Sequence, residues 1–144
     1  MHDAKLNEIY WPLRLTYGLV PLLAGLDKYV ELLADWDRYV SPTAAAMLPL
    51  DVGTFMQLIG LVEVAVGLAV LGGLTRLGAY AASAWLVVIA LNLVLAGFLD
   101  VAVRDLAMAV GAYALAAAAA ARGEALVPQA RPVAAQQPAG ARHE

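Results

Sequence analysis

Four long apolar segments, joined by very short polar turns, constrain this chain more than any other feature. The segments lie at about residues 11–26, 52–74, 77–99 and 101–121. A helix needs about 20 apolar residues to cross the hydrocarbon core of a bilayer, so segments of this length favour membrane-spanning helices. The turns at Arg76 and Asp100 are so short that the helices they join must run antiparallel. We therefore predict an all-α fold, an integral membrane four-helix bundle over residues 1–122.

The composition supports lipid as the solvent of this chain. With 144 residues, it has room for one domain. Apolar residues make up 62% of the chain, compared with roughly 45–50% in soluble globular domains. A soluble domain this small has too little interior to bury so much apolar surface. The net charge of −3 gives no indication of nucleic-acid binding, so the partner we expect is the lipid bilayer.

Several classes of cofactor site are excluded by the residues that the chain lacks. It contains no cysteine, which excludes disulfides, iron–sulfur clusters and cysteine-ligated metals. Its only histidines, His2 and His143, lie at the two ends, so no apolar segment offers a histidine ligand for haem or a metal. Ser83 and Thr75 have no histidine partner for nucleophilic catalysis. We expect no metal site, no catalytic residue in this chain alone and no tightly bound cofactor. Any electron-transfer chemistry would have to use a diffusible carrier such as a quinone, or a cofactor on a partner.

Two segments outside the apolar runs have a different character. Between residues 27 and 40, aromatic and aliphatic residues recur at helical spacing, while Asp27, Glu31 and Asp35 fall on another face. This pattern predicts a short amphipathic helix on the membrane surface over residues 27–40. Residues 123–144 are rich in Pro, Ala and Gln without periodicity. They predict a cytoplasmic tail that is disordered unless a partner orders it.

The distribution of basic residues predicts the orientation in the membrane. With both termini in the cytoplasm, six basic residues lie inside: Lys5, Arg14, Arg76, Arg122, Arg131 and Arg142. The remaining three lie outside: Lys28, Arg38 and Arg104. Six against three agrees with the excess of Lys and Arg that cytoplasmic segments carry. We therefore predict cytoplasmic termini and an external segment between the first two spans.

Glu63 is the clearest candidate for chemistry, because it lies at the centre of the second apolar segment. Placing a charge at the centre of a membrane helix costs at least roughly 2.5–3.5 kcal/mol. The residue borders a predicted helix-packing seam of Gly53, Gly60 and Gly67, which would let another helix approach closely. Two interpretations remain open. Glu63 either makes an interhelical hydrogen bond that holds the protein together, or it contacts a proton, a quinone or a substrate.

Other polar residues near the predicted outer surface extend this site. We predict that a substrate or quinone pocket gathers five residues and opens to the outside: Lys28, Glu63, Asn92, Arg104 and Asp105. Lys28 lies just after the first span, Asn92 lies in the outer half of the third, and Arg104 and Asp105 open the fourth. The alternative is a salt-bridge cluster with a purely structural role.

The order and spacing of several short motifs resemble the DoxX family of bacterial four-helix membrane proteins. The motifs are Gly25-Leu26-Asp27-Lys28, Glu63 followed by Gly67, Leu74-Thr75-Arg76, and Arg104-Asp105. The resemblance covers about residues 11–121 and implies a bundle in the bacterial cytoplasmic (inner) membrane, associated with redox enzymes. One branch of the family supplies a subunit of a thiosulfate:quinone oxidoreductase, and another acts in the maturation of amine-oxidising enzymes. The segment 27–40 and the tail match no branch.

Three functions of different classes are compatible with the sequence. The one we favour is a non-catalytic subunit that anchors or assists a quinone-linked redox complex, with other subunits or further copies of this chain as its partners. The alternative is a small transporter or permeation protein that uses its intramembrane charges. A stand-alone enzyme is the third, and the missing cofactor ligands disfavour it. A transporter is disfavoured because the sequence lacks the paired, interrupted helices on which many transporters are built.

Overall fold

The computed structural model describes residues 2–127, and this part of the chain is helical without any β-strand. Its α-helices are α1 (His2–Asp27), α2 (Pro42–Met47), α3 (Val52–Leu71), α4 (Thr75–Ala96) and α5 (Leu99–Ala121). A 3₁₀ turn, Asp37–Tyr39, lies between α1 and α2. The predicted all-helical class is confirmed. Of the predicted tail over 123–144, residues 128–144 lie outside the described part.

The four long helices, α1, α3, α4 and α5, form a ring of contacts in which each helix packs against two others. Helix α1 packs mainly against α3, and α4 packs mainly against α5. Helix α3 also contacts α4, and α1 contacts α5, so each long helix has two principal neighbours. Small side chains line the core where α4 meets α5, which lets the two backbones come close. The buried alanines of this core are Ala79, Ala82, Ala112, Ala116, Ala118 and Ala119.

Three of these helices, α3, α4 and α5, are long and apolar enough to cross a membrane. Helix α1 is longer than any of them, but it is less apolar because it contains Arg14 and several charged residues near its start. Only 28%, 22% and 28% of the apolar windows of α3, α4 and α5 are buried inside the protein. Large apolar residues such as Leu61, Leu91 and Val110 are therefore exposed. Contiguous apolar surface is rare on soluble monomers, so these helices indicate a membrane protein.

Glycine determines where the long helices stop. Helix α3 ends at Leu71 and is followed by Gly73 with φ of +100°, and α4 ends before Gly97 with φ of +84°. Only glycine adopts such left-handed angles without steric cost, so a chain reversal is favoured at both places. The predicted spans 52–74 and 77–99 are therefore displaced from the observed helices by a few residues at these ends.

The predicted surface helix over residues 27–40 is wrong. Helix α1 ends at Asp27, and an irregular loop leads to the 3₁₀ turn. The cause is the Asp27 carboxylate, which accepts hydrogen bonds from the backbone N–H groups of Leu32 (2.9 Å) and Leu33 (3.0 Å). A side chain that binds backbone N–H groups further along the chain competes with helical hydrogen bonding. Glu31, with φ of +54°, completes the reversal. The residues of this segment do recur at helical spacing, but the hydrogen bonds that Asp27 accepts favour a loop over a helix.

Candidate functional site

A buried ion pair joins the end of α1 to the middle of α3. The Nζ atom of Lys28 donates to Oε2 of Glu63 at 2.5 Å. The two side chains are only 2% and 9% exposed. Lysine and glutamate are almost never buried unless they are paired, and this pair meets that condition. It is the one ion pair between helices in the described part of the chain.

Gly60 makes room for the Lys28 side chain. A Cβ atom at Gly60 would lie 2.6 Å from the carbonyl oxygen of Gly25. It would also lie 3.1 Å from Cβ and 3.3 Å from Cδ of Lys28. Lys28 follows α1, and Glu63 lies one helical turn beyond Gly60 on α3. The lysine therefore reaches its carboxylate by running along the backbone surface that the missing side chain exposes.

The predicted glycine seam contributes two of its three members to this contact. Gly67 resembles Gly60, since a Cβ there would lie 2.6 Å from the carbonyl oxygen of Gly18 on α1. Gly53 differs, because its nearest neighbours are the side chains of Asp51 at 3.4 Å and Asp37 at 3.6 Å. Gly60 and Gly67 thus lie where α1 and α3 come closest. Gly53 lies outside that interface, in the first turn of α3.

An aromatic ring covers the ammonium group of the pair. Nζ of Lys28 lies 3.8 Å from the centre of the Trp36 ring, within the range of a cation–π interaction. The indole N–H of Trp36 donates to Oδ2 of Asp27 at 2.7 Å, so Asp27 fixes the ring in place. Desolvation opposes ionisation of Asp27, but hydrogen bonds from Trp36, Leu33 and Leu32 outweigh it and lower the pKa of its carboxyl. Neither Asp27 nor Trp36 is among the predicted site residues. Asp27 belongs to the motif that contains Lys28, whereas Trp36 lies eight residues after Lys28 and has no sequence signal that links it to the site.

Helices α4 and α5 bring two more polar groups near Glu63. Asp105 on α5 is half-buried and close enough to act electrostatically on the Glu63 carboxyl. Trp85 on α4 also lies near that carboxyl. Its buried indole N–H has no hydrogen-bond partner among residues 2–127. The sequence offered no means of selecting Trp85, because a tryptophan in an apolar helix usually faces lipid or core.

Of the five residues predicted to form one pocket, the described part of the chain shows a direct contact between Lys28 and Glu63. Asp105 acts on the Glu63 carboxyl through its charge. Asn92 instead holds the loop after α1, since its Nδ2 donates to the carbonyl of Tyr39 at 2.7 Å and its Oδ1 accepts from the N–H of Ser41 at 3.0 Å. Its amide groups are thereby occupied.

Arg104 is exposed, and it forms no hydrogen bond or ion pair with any other described residue. It is next to Asp105 in the chain, and successive residues on a helix project in different directions. The guanidinium acts on Asp105 only through its charge. Arg104 therefore makes no direct contact with the Lys28–Glu63 pair, which is packed between α1 and α3.

This centre can hold and move protons, or bind a polar group that enters between the helices. Lys28 and Trp85 supply donors, and Glu63 and Asp105 supply carboxyl oxygens. Within residues 2–127 no three His, Asp or Glu side chains are grouped so that they could hold a metal ion. Comparison of the chain with protein-family models, curated proteins and solved structures gives no match. The similarity to the DoxX family remains a prediction from the sequence motifs.

Proposed function

We propose that this chain is an integral protein of the bacterial cytoplasmic membrane in which α1, α3, α4 and α5 form a four-helix transmembrane bundle. The apolar exposed faces of α3, α4 and α5 support insertion, because water would not solvate them favourably. Helix α1 completes the set through its contact with α3, and its outer face exposes Leu19, Leu23 and Leu26. A bundle of this kind satisfies every backbone hydrogen bond within its own helices.

Within that membrane the chain acts as a small DoxX-like subunit that anchors or assists a quinone-linked redox complex and is not catalytic alone. The observation that carries this proposal is the buried Lys28–Glu63 pair beneath Trp36. Removing two charges from water costs several kcal/mol per ion, and apolar residues of similar volume often stabilise a protein as well or better. A pair kept at such a cost supports a role beyond holding helices together.

The chemistry of the site suits a quinone headgroup. A quinone supplies reversible two-electron redox chemistry and needs hydrogen-bond donors at its carbonyl oxygens and a source of protons. The buried Trp85 indole N–H lies near the Glu63 carboxyl but forms no geometrically good hydrogen bond with any described residue, so it can donate to an incoming oxygen. Glu63 and Asp105 are carboxyl groups that can carry a proton, and the Lys28 ammonium beside Glu63 can stabilise the carboxylate after the proton has left.

The substitution Glu63→Gln tests this role. Gln preserves the shape of the side chain and a hydrogen-bonding oxygen but cannot carry a proton. We expect the variant to co-purify with the same partner proteins from the native membrane, while quinone-linked turnover of the complex falls. Glu8→Gln, which removes an exposed carboxylate at the start of α1, is the matched control and should leave turnover unchanged. Full turnover in a correctly assembled Glu63→Gln complex would remove the functional role of Glu63 and leave an anchor.

Co-purification and reconstitution distinguish an anchor from a transporter. An anchor should be recovered with partner subunits and be inactive alone in liposomes. A transporter should move its substrate when the purified chain is the only protein present. Recovery of the chain as a homo-oligomer without partners, together with activity in liposomes, would contradict the proposed subunit role.

A further inference from the structure

Arginine side chains gather at the end of the molecule opposite the loop that follows α1. Arg14 donates to the carbonyl oxygens of Val70 at 3.1 Å and Leu71 at 2.8 Å, the last residues of α3. Arg122, just beyond α5, places its guanidinium 4.1 Å from the centre of the Tyr10 ring. The start of α1, the end of α3 and the end of α5 therefore meet here. We call this region the arginine end.

Arg76 brings the start of α4 to the same place. Its Nη1 donates to the backbone carbonyl of Glu124 at 3.4 Å, and Nε of Arg122 lies 3.4 Å from the Glu124 carboxylate. The hydroxyl of Tyr10 donates to Thr75, the residue before Arg76. Arg76 and Arg122 thus share one neighbour.

The positive charge of the arginine end is incompletely compensated by the described residues. The Arg14 guanidinium is occupied by its two carbonyl partners, which carry no net charge. Nε of Arg76 is buried without a hydrogen-bond partner among residues 2–127. Glu124 provides one carboxylate, through a long contact to Arg122. Nε of Arg76 is thus a donor that none of the described residues occupies, although buried polar groups are usually paired.

A mainly polar cavity of about 240 Å³ lies beside Arg122. It is lined by Leu6 and Asn7 from α1, by Ala121 from the last turn of α5, and by Arg122. Exposed apolar side chains lie near it in the chain, including Ile9, two residues after Asn7, and Val127, five residues after Arg122. A polar recess bordered by apolar surface suits a molecule with a charged head and apolar chains.

We infer that the arginine end binds the phosphate of an anionic phospholipid, with Arg122 as its charged ligand and Asn7 as a neutral donor. Arg76, which shares the neighbour Glu124 with Arg122, adds a second positive charge close by. Guanidinium groups match the geometry of phosphate oxygens and can bind two of them at once. Helix α4 begins without a side-chain cap at Leu74, so its first N–H groups add a favourable partial positive charge. The inference rests on the membrane insertion proposed above, under which this end faces the cytoplasmic leaflet, where anionic lipids concentrate.

Lipid retention by the purified full chain tests the inference. The chain is incubated in detergent with phosphatidylglycerol or with phosphatidylcholine of the same acyl chains, and bound lipid is counted by native mass spectrometry. We expect one phosphatidylglycerol to be retained in preference to phosphatidylcholine. Because each basic residue near a lipid headgroup contributes about a fivefold increase in affinity, Arg76→Gln and Arg122→Gln should each weaken retention about fivefold. Arg122→Lys should keep part of it.

Arg38→Gln is the matched control, since Arg38 is exposed in the loop that follows α1. Its retention of phosphatidylglycerol should equal that of the unchanged chain. Equal retention of the two lipids, or equal losses in the Arg122 and Arg38 variants, would overturn the inference. Displacement of the lipid by an equal concentration of inorganic phosphate would show a site for free phosphate and overturn the lipid assignment. Extraction of the chain from membranes by alkaline carbonate would refute the proposed insertion itself, a separate result.

Discussion

Removing the Lys28 ammonium should destabilise the protein strongly, because it leaves the Glu63 carboxylate buried without its partner. The side chains are 2% and 9% exposed, so solvent can compensate little of the loss. Breaking a buried ion pair by removing one member costs about 3–5 kcal/mol. We therefore expect Lys28→Met to lower the free energy of unfolding by that amount. The methionine keeps the unbranched apolar part of the lysine, so the packing along Gly60 is largely preserved.

The double variant Lys28→Met/Glu63→Leu separates the ion pair from simple packing. If both single variants are costly because each leaves one unpaired charge, the double variant removes both charges and should recover most of the stability. The expected coupling energy is therefore several kcal/mol, well above the 0.5 kcal/mol within which independent sites add. Lys5→Met, which changes an exposed lysine on α1, is the control and should shift stability by less than about 0.5 kcal/mol.

The assay is reversible unfolding in mixed micelles, followed by circular dichroism as the fraction of denaturing detergent is raised. The four proteins of the cycle and the control are measured under the same conditions. Additive losses in the double variant, or a loss below about 1 kcal/mol for Lys28→Met, would refute the buried ion pair. Either result would show that the two side chains do not stabilise each other as ions, and it would remove the observation on which the proposed function rests.

Three further predictions address packing, the external loop and orientation. Gly60→Ala should cost about 1–3 kcal/mol, because its Cβ would lie 2.6 Å from a carbonyl oxygen of α1, whereas Gly53→Ala, with its nearest atom at 3.4 Å, should be tolerated in the same unfolding assay. The pKa of Asp27 is lowered, so its stabilisation of the loop is present above the ordinary Asp value of about 3.9 and is lost as pH falls through the lower folded-state value. NMR of the indole N–H that Asp27 binds should follow this loss, and an unchanged resonance under acid would contradict it. A single cysteine placed at Asp37 should react with a membrane-impermeant thiol reagent added from outside the cell, and one placed at Glu8 should not. The reverse pattern would invert the predicted topology.

The sequence by itself determined the helical class and the approximate positions of the long helices. Helix α3 begins at Val52 and α5 ends at Ala121, as the apolar segments predicted. Glu63 and Lys28 also stood out from the sequence, because charged residues in or beside apolar segments are costly and need an explanation. These features are properties of neighbouring residues, and they can be read without knowing which helices touch.

The tertiary structure alone decided which polar groups meet. Lys28 and Glu63 are 35 residues apart, and they pair because Gly25 and Gly60 let α1 and α3 approach closely enough. The same packing assigns Asn92 to the loop. Apolarity accumulates along the chain, so it can be summed from the sequence. An ion pair instead depends on a separation of a few ångströms between distant segments, which is fixed only when the helices pack.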